Sequence, residues 1–390
     1  MNQAMPQRLP AKTFDGRDAV AFRQNLQAWL RKVVPGYIGR MAAASTEQEH
    51  ETVQSDWDAE TFSAGYSGIS WPVEHGGQGL GPVEEIIFYE ESAIAGAPKG
   101  LTRFAQHLLG QVLLEFGTPE QKARFLHGIV SGKTVWCQGS SEPGAGSDLP
   151  AISTRAIRTD SGYRINGRKI WTSHAHLAGW CWLLARTSET EPRYRNLSLL
   201  LVDMTQSAIR KERIKQITGD SRFSEVTFDG ARAELDNVVG GENKGWQTMV
   251  AALGRERGIY QSMWRFIELT WLLKQARECV HHTGRGALST LDGYHAAVMA
   301  VKYQVQRCVE GRMAGRDMRG PETMLKLYWS ELWQKIATFG MDCRCPHHVD
   351  GFRNSYFESR ASTIWGGTSE IQRNTIADHV LRLPRAKAGV

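Results

Sequence analysis

Two short stretches decide how this chain reads: CQGSSEPGAGSD, Cys137 to Asp148, and KIWTS, Lys169 to Ser173. The first is rich in glycine and small hydroxyl residues and reads as a tight turn. The second sets Trp171 beside Thr172 and Ser173, one hairpin further along. Together they suit a flat aromatic cofactor, with hydroxyls and backbone amides aimed at its polar edge and an indole against its ring. Either stretch alone has a plainer explanation, because glycine-rich turns and strand tryptophans are common. PGAGSD is not a dinucleotide fingerprint, which needs a strand before it and a helix after it; here a strand hairpin follows.

Working outward, the chain divides by hydrophobic period. Up to about Thr134 the apolar residues recur at helical spacing, as in Leu26, Trp29, Leu30 and Val33, or Val83, Ile86, Ile87 and Ile94. Glu90 and Glu91 interrupt the second set. Pro82 falls at a first helical position, where its missing N–H is harmless. Thr118, Pro119 and Gln121 give an N-cap, an N1 proline and a capping-box partner. The period then changes to that of strands. ISTRAIRT (Ile152 to Thr159) and YRINGRKIWTS (Tyr163 to Ser173) flank a turn and predict a hairpin. WCWLLART and LSLLLVDM, from Trp180 and Leu197, are apolar runs of buried-strand length, and RFSEVTFDG, from Arg222, alternates again. From Gly245 to Phe339 the spacing is helical, with Leu325, Tyr328, Leu332, Ile336 and Phe339 expected on one face of a helix opened by Pro321. The expected fold class is α+β, with domains at 1–134, 135–240 and 241–390. The tails, before about Asp18 and after Arg385, carry no such pattern.

Composition limits the function. No apolar run approaches the roughly 20 residues that cross a bilayer, and Met1 to Arg17 lacks the apolar core of a secretory signal. Lys and Arg number 47 against 41 acidic residues, a net charge of +6 without basic blocks, which argues against a nucleic-acid arm. The 6 cysteines show no CxxC and no pairing rhythm, so reduced thiols in a cytoplasmic protein are expected. Cys343, Cys345, His347 and His348 fit no zinc template, and no metal site is assigned. The loop histidines His174 and His176, and the pairs at His281 and His347, are assigned no role.

Taken in order, GISWPVEHGGQGL (Gly68 to Leu80), GTPEQKARFL (Gly117 to Leu126), the two opening stretches, QITGDSRFSEVTFD (Gln216 to Asp229), LGRERG (Leu253 to Gly258) and WGGTSEIQRN (Trp365 to Asn374) resemble the acyl-CoA dehydrogenase family. The resemblance runs from about Phe22 to Arg385. It implies an N-terminal helical domain, a central β-barrel domain and a C-terminal four-helix bundle. It implies FAD as cofactor, contacted by Gln138, Ser140, Ser141, Trp171, Ser173, Thr368 and Glu370, and an acyl-CoA substrate contacted by Ser147 and Arg257. It also implies an electron-accepting flavoprotein as redox partner and a place in lipid and fatty-acid degradation.

Desaturating a thioester needs a carboxylate beside the α carbon and stabilisation of the enolate-like oxygen. Much of the family carries this glutamate just before the GT of the C-terminal motif, where this chain has Gly366. A second branch carries it on the first long helix of the C-terminal domain, a position that Glu256 matches. The resemblance thus makes Glu256 the α-proton base, with hydride leaving Cβ for flavin N5 and a backbone amide near Gly366 polarising the carbonyl. The plainer alternative is a Glu256 that only pairs with a cation on its helix. HHTGRGA (His281 to Ala287) and CRCPHHVDGF (Cys343 to Phe352) depart from the motifs of the family's homo-oligomers and resemble members built from two unlike subunits. Either a homo-oligomer or a hetero-oligomer with a related subunit is therefore expected. Rival readings are a non-catalytic or cofactor-completing partner subunit, a flavin monooxygenase on the same fold, and a DNA-binding branch.

Overall fold

The computed structural model describes residues 17–256 and 259–384, with side chains over 19–252 and 259–384. Both patternless tails lie outside the described residues. Contacts divide the chain into two compact units. One holds the described residues up to Pro35, Gly81–Ala97 and those from Glu256 onward; the other holds Gly36–Leu80 and Pro98–Arg255.

The helices in chain order are α1 (Arg17–Ala43), α2 (Glu47–Ser63), α3 (Pro82–Ala95), α4 (Arg103–Ala105), α5 (Gln111–Phe116) and α6 (Pro119–Val130). After the sheet come α7 (Gly245–Glu256), α8 (Ile259–Thr283), α9 (Leu288–Met313), α10 (Arg319–Cys343), α11 (Val349–Ser362) and α12 (Ser369–Thr375). The expected capping box at α6 is present: Thr118 Oγ1 accepts from Gln121 N, and the Gln121 side chain accepts from Thr118 N.

In the second unit the strands β1 (Trp136–Gly139), β2 (Arg155–Thr159), β3 (Gly162–Ser173), β4 (Trp180–Arg186), β5 (Leu197–Asp203), β6 (Ile209–Ile214), β7 (Phe223–Glu234) and β8 (Val238–Val239) form one sheet. Its order is β6-β7-β3-β2-β4-β5-β8, with β1 parallel to β4. The predicted hairpin is β2–β3, in which Thr159 faces Gly162. The apolar runs β4 and β5 are buried on both faces. Trp182 and Leu184 join the core under α5 and α6, while Cys181, Leu183 and Ala185 join the core on the other side. That two-sided burial is why these strands lack alternation. One expectation needs correction: Cys137 to Gly139, read as part of a turn, belongs to strand β1, which pairs with β4 from Trp136↔Trp180 to Gly139↔Leu183.

In the first unit α10 packs on α8, α9 and α11, and α3 packs on α8. Glu90 and Glu91, which break the apolar face of α3, are buried where Arg23 Nη1 donates to both. A Cβ on Gly340 would lie 2.0 Å from the Phe352 ring, so glycine there lets α10 and α11 approach. Leu325, Leu332 and Ile336 of α10 are buried as expected, whereas Tyr328 is exposed. Its place on the inner face is taken by Lys326, Trp329 and Trp333, because a helix packed on three neighbours buries more than one stripe.

Candidate functional site

The β unit carries one group of candidate residues. At the end of β1, Gly139 leaves no room for a side chain: a Cβ would meet Leu183 Cδ1 at 2.8 Å and Cys181 Sγ at 3.1 Å. The chain then turns through Ser140 and Ser141 into a tight loop closed by Glu142 N to Ala145 O (2.9 Å) and Ala145 N to Glu142 O (3.0 Å). Glu142 is buried and saturated. Its Oε2 accepts from Ser153 N and Ser153 Oγ, and its Oε1 accepts from Thr154 N and, at 2.9 Å, from Lys169 Nζ. Burial pushes this carboxyl up, but the Lys169 ammonium and the Thr154 and Ser153 hydrogen bonds outweigh it and hold it at about 2. Burial pulls Lys169 down to about 8 against the pull of Glu142.

On β3 the ladder to β7 shifts register between Lys169 and Thr172, so Ile170 and Trp171 together bulge opposite Glu225. The Ile170 N–H, released from the ladder, donates to Ser141 O at 3.0 Å and ties the bulge to the turn. Trp171 has φ 60° and is 57 % exposed. A left-handed backbone at a tryptophan costs about 1–2 kcal/mol, and the indole it presents stands edge-to-face with Phe223, ring centroids 6.3 Å apart. Ordinary packing in the sheet interior does not account for it. Thr172 Oγ1 is buried without a partner among the described residues, and none is recorded there for the Ser141 or Ser173 hydroxyl. Gln138 Nε2 reaches Ser140 Oγ at 3.4 Å. Ser147 is exposed, next to an Asp148 that pairs with Arg193. The Ile170–Ser141 hydrogen bond brings turn and bulge together, and their donors, hydroxyls and exposed ring suit the polar edge and face of a flavin.

His174, also left-handed at φ 52°, is held neutral down to about 4 by burial and by neighbouring His176, Arg222 and Arg213. His176 Nε2 meets Glu51 Oε1 at 2.7 Å.

The helical unit supplies the other candidates. Trp365 leads into Gly366 (φ 65°) and Gly367 (φ 95°), two left-handed residues in succession that require glycine. Their carbonyls are held: Gln372 Nε2 donates to Gly366 O (2.9 Å) and Gly367 O (3.2 Å), and buried Lys326 Nζ donates to Gly367 O (2.6 Å). Thr368 caps α12, accepting from Ile371 N at 3.2 Å. Exposed Glu370 has its carboxyl lowered by its own backbone N–H and by the Thr368 hydroxyl. A cavity of about 720 Å³ opens beside Thr368 and Glu370, with Glu331, Lys335, Arg360 and Arg373 in its wall. Glu256 is the last described residue of α7, and its side chain and all of Arg257 lie outside the described residues. Among the described residues no three His, Cys, Asp or Glu side chains gather as metal ligands.

Glu142, Lys169 and Gln372 fall within the quoted motifs without a role assigned to them, and Lys326 lies outside those motifs. A signal existed for Lys169, an inward position in the Tyr163, Ile165 alternation of β3.

Three family profiles cover most of the chain: the acyl-CoA dehydrogenase N-terminal domain over residues 17–133, the middle domain over 137–231 and the C-terminal domain over 243–381. The chain is 36% identical over 386 residues to acyl-CoA dehydrogenase IpdE1 of Mycobacterium tuberculosis, covering 96% of this chain and 100% of that one. It is 31% identical to acyl-CoA dehydrogenase FadE34 of the same organism, covering 92% of this chain and 49% of that one. In fold it is similar to a solved steroid ACAD, Tcur3481-Tcur3483, with TM-score 0.84, 23% identity and coverage of 96% and 100%. The ChsE4-ChsE5 complex of Mycobacterium tuberculosis gives TM-score 0.80 at 24% identity, over 96% of this chain and 100% of that one. The chain belongs to the acyl-CoA dehydrogenase family, flavoprotein oxidoreductases that act on the CH–CH bond of acyl-CoA thioesters.

Proposed function

We propose that this chain desaturates an acyl-CoA between Cα and Cβ, with FAD as its cofactor and Glu256 as the base that takes the α proton. The observation that carries the cofactor assignment is the bulge at Trp171, an exposed indole on a left-handed backbone tied through Ile170 to Ser141. When bound, FAD supplies the hydride acceptor; the protein's share is orientation and electrostatics. Ser141, Trp171 and Ser173 would hold the ring system, and Gln138, Ser140, Thr368 and Glu370 the rest of the cofactor. The position before Gly367-Thr368 is glycine, so it offers a backbone amide and no carboxylate; Glu256 of α7 is then the matching carboxylate. Ser147 and Arg257 would contact the acyl-CoA, and an electron-accepting flavoprotein would reoxidise the enzyme.

We also propose an oligomer, homomeric or with a related unlike subunit, with domain limits near residues 134 and 240. Where family homo-oligomers carry an arginine-phenylalanine-glycine motif, this chain has HHTGRGA, in which α8 ends at Thr283 and Arg285 is exposed. A chain that only completes another subunit's cofactor site is the second reading, and the same departure favours it. A reducing cytoplasmic setting is supported by the six free cysteines, all buried.

The test is FAD uptake by the purified chain, alone and with a co-encoded related subunit, followed by anaerobic mixing with a panel of straight-chain, branched, aromatic and steroid side-chain thioesters. Retained FAD bleached by one class supports the proposal. A chain that takes up no FAD in either preparation overturns it.

A further inference from the structure

The Lys169–Glu142 pair is the least expected feature of the β unit, with side chains 0% and 4% exposed. Stability alone does not account for it. Desolvating two charges costs about as much as their attraction returns, and apolar pairs of similar volume often fold as well. What the pair does possess is geometry. Lys169 Nζ lies 2.9 Å from Glu142 Oε1 and 3.0 Å from Ser140 O, so one ammonium spans the turn from side chain to backbone. A peptide group is planar and trans, so holding the Ser140 carbonyl directs the Ser141 N–H the opposite way, away from Lys169. On its far side the Ser141 carbonyl is held by Ile170 N. Both peptide planes that flank Ser141 are thus fixed, and its side-chain direction follows from them.

We propose that Lys169 and Glu142 are positioning residues for the flavin: the pair clamps the Ser140–Ser141 turn against the Ile170–Trp171 bulge and so sets the spacing of Ser141 from Trp171 and Ser173. The proposal rests on the FAD reading above. Neither residue needs to touch the cofactor. Lys169 acts through the Ser140 carbonyl, and Glu142 acts by holding Lys169 while anchoring the turn to Ser153 and Thr154.

The experiment compares wild type, Glu142→Gln and the double variant Lys169→Met/Glu142→Gln for urea unfolding, FAD dissociation constant and the shape of the bound-flavin absorption band. The double variant removes both charges at nearly constant volume but keeps one acceptor for the Ser153 and Thr154 donors, so its unfolding midpoint should fall by less than that of Lys169→Met. Its FAD dissociation constant should rise at least tenfold, and its band should lose the fine structure of a rigidly held flavin. Glu142→Gln keeps one carbonyl acceptor and should show a smaller rise with the same loss of fine structure. An unchanged dissociation constant and band in the double variant would overturn the proposal; should that variant not fold, the same result in Glu142→Gln would do so. A wild type that binds no FAD takes down the cofactor reading and this inference together, and is recognised before any variant is measured.

Discussion

The turn at Ser140–Ser141 and the turn at Gly366–Gly367 are each held by a buried lysine that donates to a backbone carbonyl, Lys169 in one case and Lys326 in the other. The difference lies in how much else holds each turn. In the β unit the lysine is answered by Glu142, so removing one partner strands a buried charge. In the helical unit the Gly367 carbonyl also accepts from Gln372, and the turn keeps its shape through two glycines at positive φ. A carbonyl with a single donor makes its turn dependent on that donor; two donors on a backbone fixed by glycines spread the dependence.

The largest expected effect follows directly. Lys169→Met alone leaves Glu142 unpaired and should cost on the order of 3–5 kcal/mol in urea unfolding of the β unit. Lys326→Met should cost less, on the order of 2 kcal/mol, because Gln372 still donates to the Gly367 carbonyl. Equal losses would mean that the two turns are held alike.

Acid sharpens the contrast. The Glu142 carboxyl falls from 4.5 to about 2, so its contribution is present above the ordinary carboxylate range and is lost as the pH drops toward 2. Roughly 3 kcal/mol should disappear over that window in wild type and not in Glu142→Gln. Lys169 is lowered from 10.5 to about 8, so the cost of burying its charge is relieved as pH rises through that range. Unfolding midpoints at a series of pH values, compared between wild type and Glu142→Gln, measure this loss.

The smallest stability effect is expected at Trp171. Trp171→Gly relieves a left-handed backbone but adds chain entropy to the unfolded state, and the two nearly cancel to within about 1 kcal/mol. FAD affinity should nevertheless fall clearly. A variant that loses stability and keeps FAD would reduce the indole to a packing role.

The sequence showed most where local rules act alone. The capping box of α6 and the apolar runs of β4 and β5 depend on spacing and burial that a single segment carries. Strand β6 escaped notice because IRKERI is largely charged and lies at the end of the sheet order, where charges discourage further pairing. Strand β1 escaped because its partner, β4, is parallel and distant in sequence. The bulge at Trp171 depends on a register that only the β3–β7 ladder reveals, and Lys326 escaped notice because its partner, the Gly367 carbonyl, lies 41 residues further along the chain.

Dehydrogenation turns on removal of the α proton, and one substitution addresses it. Glu256→Gln keeps the size of the side chain and cannot accept the α proton. With FAD bound and a good acyl-CoA substrate mixed anaerobically, flavin bleaching should slow by roughly 10²–10⁴-fold or more, with FAD affinity and unfolding midpoint unchanged. Bleaching at the wild-type rate would contradict the account and make Glu256 a carboxylate of the α7 helix that serves no base.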